Sequence, residues 1–405
     1  MLFFKKVPFH SRAAYYYDHL SGLLFGFFNG AVLLFIPVVA RKIGASDTQL
    51  AIITGIGSVT LLFTFFWTYL GISRTKMQII VWTKYIGRSL FLFMPFVYNP
   101  VLFTAITAAF ALLDAIANPA YSTIMKKIYT EKFRARSMAY VRVISSTTML
   151  AASFIGGKLL DIWGKTSYRI VFPIGTVFGL LSAFYFSKIP LKEYIPEKTQ
   201  PVSLTGIFRE WADDKTILKL GLMVSIAGFG NIMMSPLSPI YLVDNLNVSL
   251  TFVGIMNAAA ALVTVISYYF WGDFIDKKGP MLSFNMIFIA LVFVPILYIS
   301  GTKLTVFISA LLSAFSVAGW DLAWLKFITI RAPSSEKVHI YSGFYFSLMG
   351  IRGTLAPFVA VWIMNLAGIK FSFFISFAMI LSGFIISMAW KKNIGKELAV
   401  PVYNS

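Results

Sequence analysis

The chain has 405 residues, 58% of them hydrophobic and only 13% charged, about half the charged share of a soluble domain. A mean hydropathy of +0.78, spread along the whole length, excludes a soluble enzyme with a single anchor. The net charge of +19 comes in short bursts between apolar runs rather than on a solvated face, so it reads as membrane topology, with no nucleic-acid partner expected.

A hydrocarbon core of roughly 30 Å needs about 20 apolar residues per helix. Twelve such runs follow one another, near 20–40, 48–70, 77–97, 100–125, 138–160, 168–188, 217–243, 248–271, 281–300, 304–328, 340–366 and 371–390. They are too long and continuous for the alternation of a barrel, and lipid forces backbone groups to bond internally, so the fold class is an all-α integral membrane protein. The spans divide six and six. This predicts an N-terminal arm over 1–19, helical bundles over 20–188 and 217–390, a linker over 189–216 and a tail over 391–405. The arm lacks the pattern of a cleaved signal. In the linker, Ile207, Phe208 and Trp211 fit a short helix on the membrane surface, with a solvated strand of coil as the equal alternative.

Most Lys and Arg between spans fall on one face, including Lys5, Lys6, Arg74, Lys126, Lys277 and Lys391. The opposite loops have Arg41, Lys42, Lys165, Lys303 and Lys370. The positive-inside rule therefore puts both termini in the cytoplasm of a multi-pass protein of the cell membrane. Without cysteine, disulfides, thiolate metal sites and a cysteine nucleophile are excluded. His10, His19 and His339 are scattered, so no metal site and no cofactor are expected.

An offset of about 204 residues lays the two halves over each other. Phe66, Trp67 and Met77 fall on Phe270, Trp271 and Met281, and nearly the same offset puts Glu131, Lys132 and Ser137 on Glu336, Lys337 and Ser342. Six spans separate the copies, so both have one orientation in the membrane. Between spans eight and nine, Gly272-Asp-Phe-Ile-Asp276-Lys277-Lys278-Gly279-Pro280 is similar to the G-x-x-x-D-[RK]-x-G-[RK] signature of the major facilitator superfamily, departing at Pro280. The matching first-half stretch keeps Arg74 and Lys76 but has Ile72 in place of the acid. Lys132-Phe-Arg134-Ala-Arg136 also resembles that family's basic segment between spans four and five. A short basic loop serving topology alone is the competing explanation. The resemblance implies a monomeric secondary transporter of two six-helix bundles around a central cavity. Alternating access by rocking follows, with Gly272, Asp276, Lys277 and Gly279 as the gating loop.

A charge within the bilayer costs at least about 2.5 kcal/mol, so each one needs a partner or water. Asp114 and Asp321 are the acids deepest within spans, at nearly corresponding positions in the fourth helix of each half. Counting residues from the cytoplasmic ends puts Arg88, with Lys84 one turn away, at the depth of Asp114, and brings Arg352 toward Asp321; Arg142 lies near the mouth of span five. Static ion pairs that fix packing are one reading. Carboxylates that take up and release a proton are the other, and both acids are the expected coupling groups. Asn29, Asn118, Asn231, Trp320 and Trp324 lie beside them on helices the resemblance places at the cavity, and with Asp114 and Asp321 form the expected solute site. Helix packing is the competing role for the asparagines, and lipid contact for the tryptophans.

The expected activity is proton-coupled movement of a small organic solute, with a lean toward export because the central helices offer few polar groups. Uptake by symport or uniport is the alternative. A nucleotide-driven pump lacks its phosphate loop, a membrane-embedded enzyme lacks a nucleophile-and-base or paired-carboxylate spacing, and a receptor is the remaining class. Expected partners are the solute, protons and membrane lipid.

Overall fold

The computed structural model describes residues 9–62, 76–129, 131–162, 164–191, 209, 211–331 and 338–398. The described residues are helical with no strand. In chain order they form α1 (Arg12–Ala31), α2 (Ile36–Lys42), α3 (Asp47–Leu62), α4 (Lys76–Ser89), α5 (Pro100–Ile128), α6 (Glu131–Ile162) and α7 (Tyr168–Ser187). These are followed by α8 (Lys215–Ile240), α9 (Leu250–Lys278), α10 (Pro280–Ser300), α11 (Lys303–Arg331), α12 (Val338–Ala367) and α13 (Ile369–Leu398). Among the described residues, 10 helical stretches are long and apolar enough to cross a membrane, α1 and α2 counting as one through a 3-10 turn at Leu33–Phe35. The shorter α3, and α4 with the 3-10 segment Leu90–Phe96, fall on the two remaining predicted spans.

Helix ends follow local chemistry. Asn99 caps α5 by accepting from the Leu102 amide at 2.8 Å, with Pro100 in the first turn where its missing N–H costs nothing. Ser46 and Gln49 form a reciprocal capping box before α3, at 2.8 and 3.2 Å. The family-like signature lies mostly on helix rather than in a loop. α9 runs on through Gly272 and Asp276 to Lys278, because no helix breaker occurs before Gly279-Pro280. Gly279 turns the chain at φ 79° and ψ 166°, a region open to glycine alone.

The chain forms two compact units. Unit 1 comprises Met1–Lys198 with Pro239–Leu262, and unit 2 comprises Thr199–Ser238 with Val263–Ser405. The C-terminal end of α8 and the N-terminal part of α9 therefore pack in unit 1. There Arg41 donates from Nε to both carboxylate oxygens of Asp244 at 3.0 and 2.9 Å and pairs with Asp47 at 3.0 Å. Asp161 accepts from the amides of Leu250 and Thr251 at 2.8 and 2.5 Å, capping α9 across 89 and 90 positions of chain.

In unit 1, α1 lies against α6 and α7, and the core is a set of tilted and edge-to-face rings in which Phe91 meets Phe110, Phe28 and Phe172 at 5.0–6.2 Å. Hydroxyls bind helices together where lipid offers no partner: Ser182 to the Ser21 carbonyl at 2.8 Å and Thr148 to the Leu23 carbonyl at 2.9 Å in unit 1, and Ser376 to the Gly230 carbonyl at 2.7 Å in unit 2. In unit 2, α10 packs on α11 and α13, and the fully buried Trp271 donates to the Phe315 carbonyl at 2.8 Å. Large apolar side chains left outside, such as Trp82, Phe93 and Trp362, fit a lipid surround.

Two expectations shift. α1 begins at Arg12, inside the stretch read as an arm, because Ala14, Tyr15 and Asp18 bury one face. Trp211 stands in helix, as one of the two readings had it, but is buried edge-on against Phe344 at 5.3 Å instead of solvated. Ile207 and Phe208 lie outside the described residues.

Candidate functional site

Unit 2 holds a cavity of about 190 Å³. α8 contributes Asn231, α11 contributes Trp320 and Asp321, and α12 contributes Tyr345 and Arg352. The spacing explains the convergence: Tyr345 and Arg352 are two turns apart on one face of α12, and Gly228 and Asn231 one turn apart on α8. The Trp320 indole N–H donates to Tyr345 Oη at 2.8 Å, and Trp324 stacks on the other side of Tyr345 with ring centroids 4.0 Å apart. The aromatic wall is thus fixed by a hydrogen bond and a stack.

Arg352 is 5% exposed. Its Nη1 donates to the Val224 carbonyl at 2.6 Å, and its guanidinium lies 5.6 Å from the Trp320 ring and 5.8 Å from Tyr345. Gly228 makes the room, since a Cβ there would collide with Nη1. Asp321 is exposed on the cavity wall and accepts from Tyr268 Oη at 3.0 Å. The structure therefore brings together Asn231, Trp320, Asp321 and Arg352, with Trp324 one layer behind. Tyr345 and Tyr268 were missed by sequence reasoning, since a lone tyrosine in an apolar span looks like packing.

Unit 1 has a buried charged group instead. Asp114, half-buried on α5, acts electrostatically on Lys84 and Arg88 of α4. Arg88 is 1% exposed, donates to the Gly179 carbonyl and lies 5.1 Å from the Phe25 ring and 5.5 Å from Phe28. Lys84 sits 4.3 Å from the Phe186 ring and 5.6 Å from Tyr121. The acid missed from sequence is Asp18, 3% exposed on α1, which accepts from Tyr129 Oη at 2.7 Å and interacts with Lys84. Its signal was the aromatic run before it, Tyr15-Tyr16-Tyr17, which continues the apolar face of the span toward the N-terminus.

Asn29 is half-buried on α1, and Arg142 is exposed on α6, with an electrostatic influence on Tyr121. Asn118 lies on α5 one turn beyond Asp114, and its side chain is outside the description. At the end of α9, Asp276 pairs with Lys326 at 2.9 Å and Lys277 with Asp273 at 2.8 Å, while Gly272 faces open space. Those pairs are solvent-exposed, so each contributes at most about 1 kcal/mol.

Ten described helical stretches long and apolar enough to cross a membrane, with charged side chains held inside both units, define a multi-pass membrane protein. The chain belongs to the Major Facilitator Superfamily, whose model matches residues 19–342. This bears out the resemblance read from the Gly272–Pro280 segment and the internal repeat, and with it the reading as a secondary transporter. The fold is similar to that of the nucleoside transporter NupG (D323A mutant), with a TM-score of 0.73 at 11% identity over 94% of this chain and 99% of that one. It is also similar to a bacterial homologue of the human lysosomal transporter Spinster. The inward-facing, unoccupied form gives a TM-score of 0.69 at 14% identity, over 98% of this chain and 100% of that one. The inward-facing, occupied form gives 0.73 at 13%, with the same coverage. None of the curated proteins matches the sequence.

Proposed function

We propose that this transporter moves a small organic solute by alternating access, coupled to protons, with the unit 2 cavity as its solute site and export as its direction. The observation that supports this reading is Asp321, a carboxylate exposed in an otherwise acid-free helix, on the wall of a cavity shared with Asn231, Trp320 and Arg352. A carboxylate in such a place must be hydrated, paired or protonated, and its balance among these changes when solute enters. Asp114, flanked by Lys84 and Arg88, is the corresponding group in unit 1. Protonation there would release two cations from their counter-charge and alter the packing of α4 on α5. Export is favoured over uptake of a hydroxyl-rich nutrient because the cavity wall is largely aromatic and aliphatic.

The test is solute movement in proteoliposomes with and without an imposed pH gradient, for the wild type, Asp114→Asn and Asp321→Asn. Gradient-driven accumulation is expected in the wild type and lost in at least one variant, while downhill exchange survives. Accumulation that still follows the gradient in both variants removes the carboxylates from the coupling step.

A further inference from the structure

Arg352 does more than hold α12 against α8. Its Nη1 is engaged by the Val224 carbonyl and its guanidinium lies between Trp320 and Tyr345, and the residue, 5% exposed, lines the unit 2 cavity with no carboxylate paired to it among the described residues. A buried guanidinium with several N–H donors and no anionic partner is costly in a protein interior, and an anionic group on a ligand in the cavity relieves it. The guanidinium is held in place by Trp320 and Tyr345 and given space by Gly228, so it is pre-set rather than adaptable. On the same wall Asp321 presents a carboxylate. A solute of one charge satisfies one of these groups and faces the like charge of the other. A solute with both charges is matched at each.

We propose that the cavity takes an amphoteric organic solute, its anionic group on Arg352, its cationic group on Asp321 and a flat apolar body against Trp320 and Tyr345. This rests on the cavity being the solute site. A volume of about 190 Å³ limits the solute to something the size of a single aromatic amino acid.

The experiment is thermal unfolding of the detergent-purified chain with three matched probe classes. The zwitterions are tryptophan and phenylalanine, the amines tryptamine and phenethylamine, and the acids indole-3-propionate and 3-phenylpropionate. Ligand binding to the folded state raises the transition temperature. The zwitterions are expected to half-saturate at concentrations about tenfold or more below either analogue class, tenfold being one lost charge-assisted contact. Arg352→Gln should weaken zwitterions and acids but leave the amines unchanged, and Asp321→Asn should weaken zwitterions and amines but leave the acids. Arg352→Lys keeps the buried charge without the planar fork, protects against simple loss of folding, and should give an intermediate loss for zwitterions and acids. Zwitterions that bind no better than both analogue classes, or fail to bind, overturn the proposal. So do Arg352 substitutions that weaken all three classes alike, the result of a purely structural arginine. Counterflow of labelled tryptophan in proteoliposomes separates this from the transport reading. The charge pattern without counterflow leaves the amphoteric site and removes transport through it; counterflow of singly charged solutes, indifferent to both substitutions, keeps transport and removes the amphoteric site.

Discussion

A charge in an apolar helix persists only if its neighbours compensate it, and in unit 1 that compensation is shared among Asp18, Asp114, Lys84 and Arg88 rather than divided into two separate pairs. Residue counting along the spans could place Asp114 level with Arg88, because helical rise is fixed. It could not find Asp18, whose partner Tyr129 is 111 positions away and whose own span begins earlier than its apolar run. The hydrogen bond from Tyr129 to Asp18 is buried, so Tyr129→Phe should leave an acceptor unmet and cost about 1–3 kcal/mol. Asp18→Asn should cost less, since an amide still accepts from the hydroxyl. A double-mutant cycle on these two, read by denaturant unfolding in mixed micelles, is expected to give non-additivity of about 1 kcal/mol or more. Additive losses would mean that the two groups do not depend on each other in the folded protein.

At the scale of elements, the family signature shows two glycines with opposite physical positions. Gly279 occupies backbone space closed to other residues, so Gly279→Ala should destabilise the α9–α10 turn by about 1–3 kcal/mol and lower the yield of folded protein. Gly272 is in ordinary helix, where a methyl group would meet nothing within 4 Å, so Gly272→Ala should raise or preserve thermal stability through helix propensity. If close approach at this face belongs to the transport cycle, Gly272→Ala will nonetheless slow transport. An unchanged rate together with unchanged stability would show that the position tolerates a side chain throughout the cycle. The sequence pattern identified the helices well because twenty apolar residues in a row have one solution in lipid. It misjudged their ends, as at Arg12 and Lys278, where polar and aromatic residues extend a helix beyond the apolar core. Trp211 was illegible for another reason: its burial depends on Phe344, more than a hundred positions away.

For the whole molecule, the decisive feature is that Pro239–Leu262, the adjoining ends of two second-half spans, pack within unit 1. Hydropathy sees only which residues leave water, so it divides the chain six and six and is blind to which helix ends share a compact unit. The candidate site shows the same boundary between legible and illegible: Asp321 stood out as an acid in an apolar run and helical rise brought Arg352 toward it, whereas Tyr345 and Tyr268, which hold Trp320 and Asp321, are set by helices converging and looked like packing. Arg41, Asp244 and Asp47 join these ends to unit 1 by charge, and Asp161 does so by capping α9. A bridge across this packing tests whether these helix ends separate during the transport cycle proposed above, and the chain has no native cysteine, so introduced thiols report without interference. Arg41→Cys with Asp244→Cys, bridged by a short thiol-reactive linker, is expected to abolish net transport and to regain it on cleavage of the bridge. Each single cysteine variant should lose much less, because it removes part of a partly solvated charge cluster without tying the helix ends together. The orientation expected from the Lys and Arg bias is tested by an impermeant maleimide added to intact cells, which should label a cysteine at Asp244 and leave one at Lys326 unlabelled. Transport that continues at full rate with the bridge intact would mean that these helix ends stay together throughout, and that the cycle opens elsewhere.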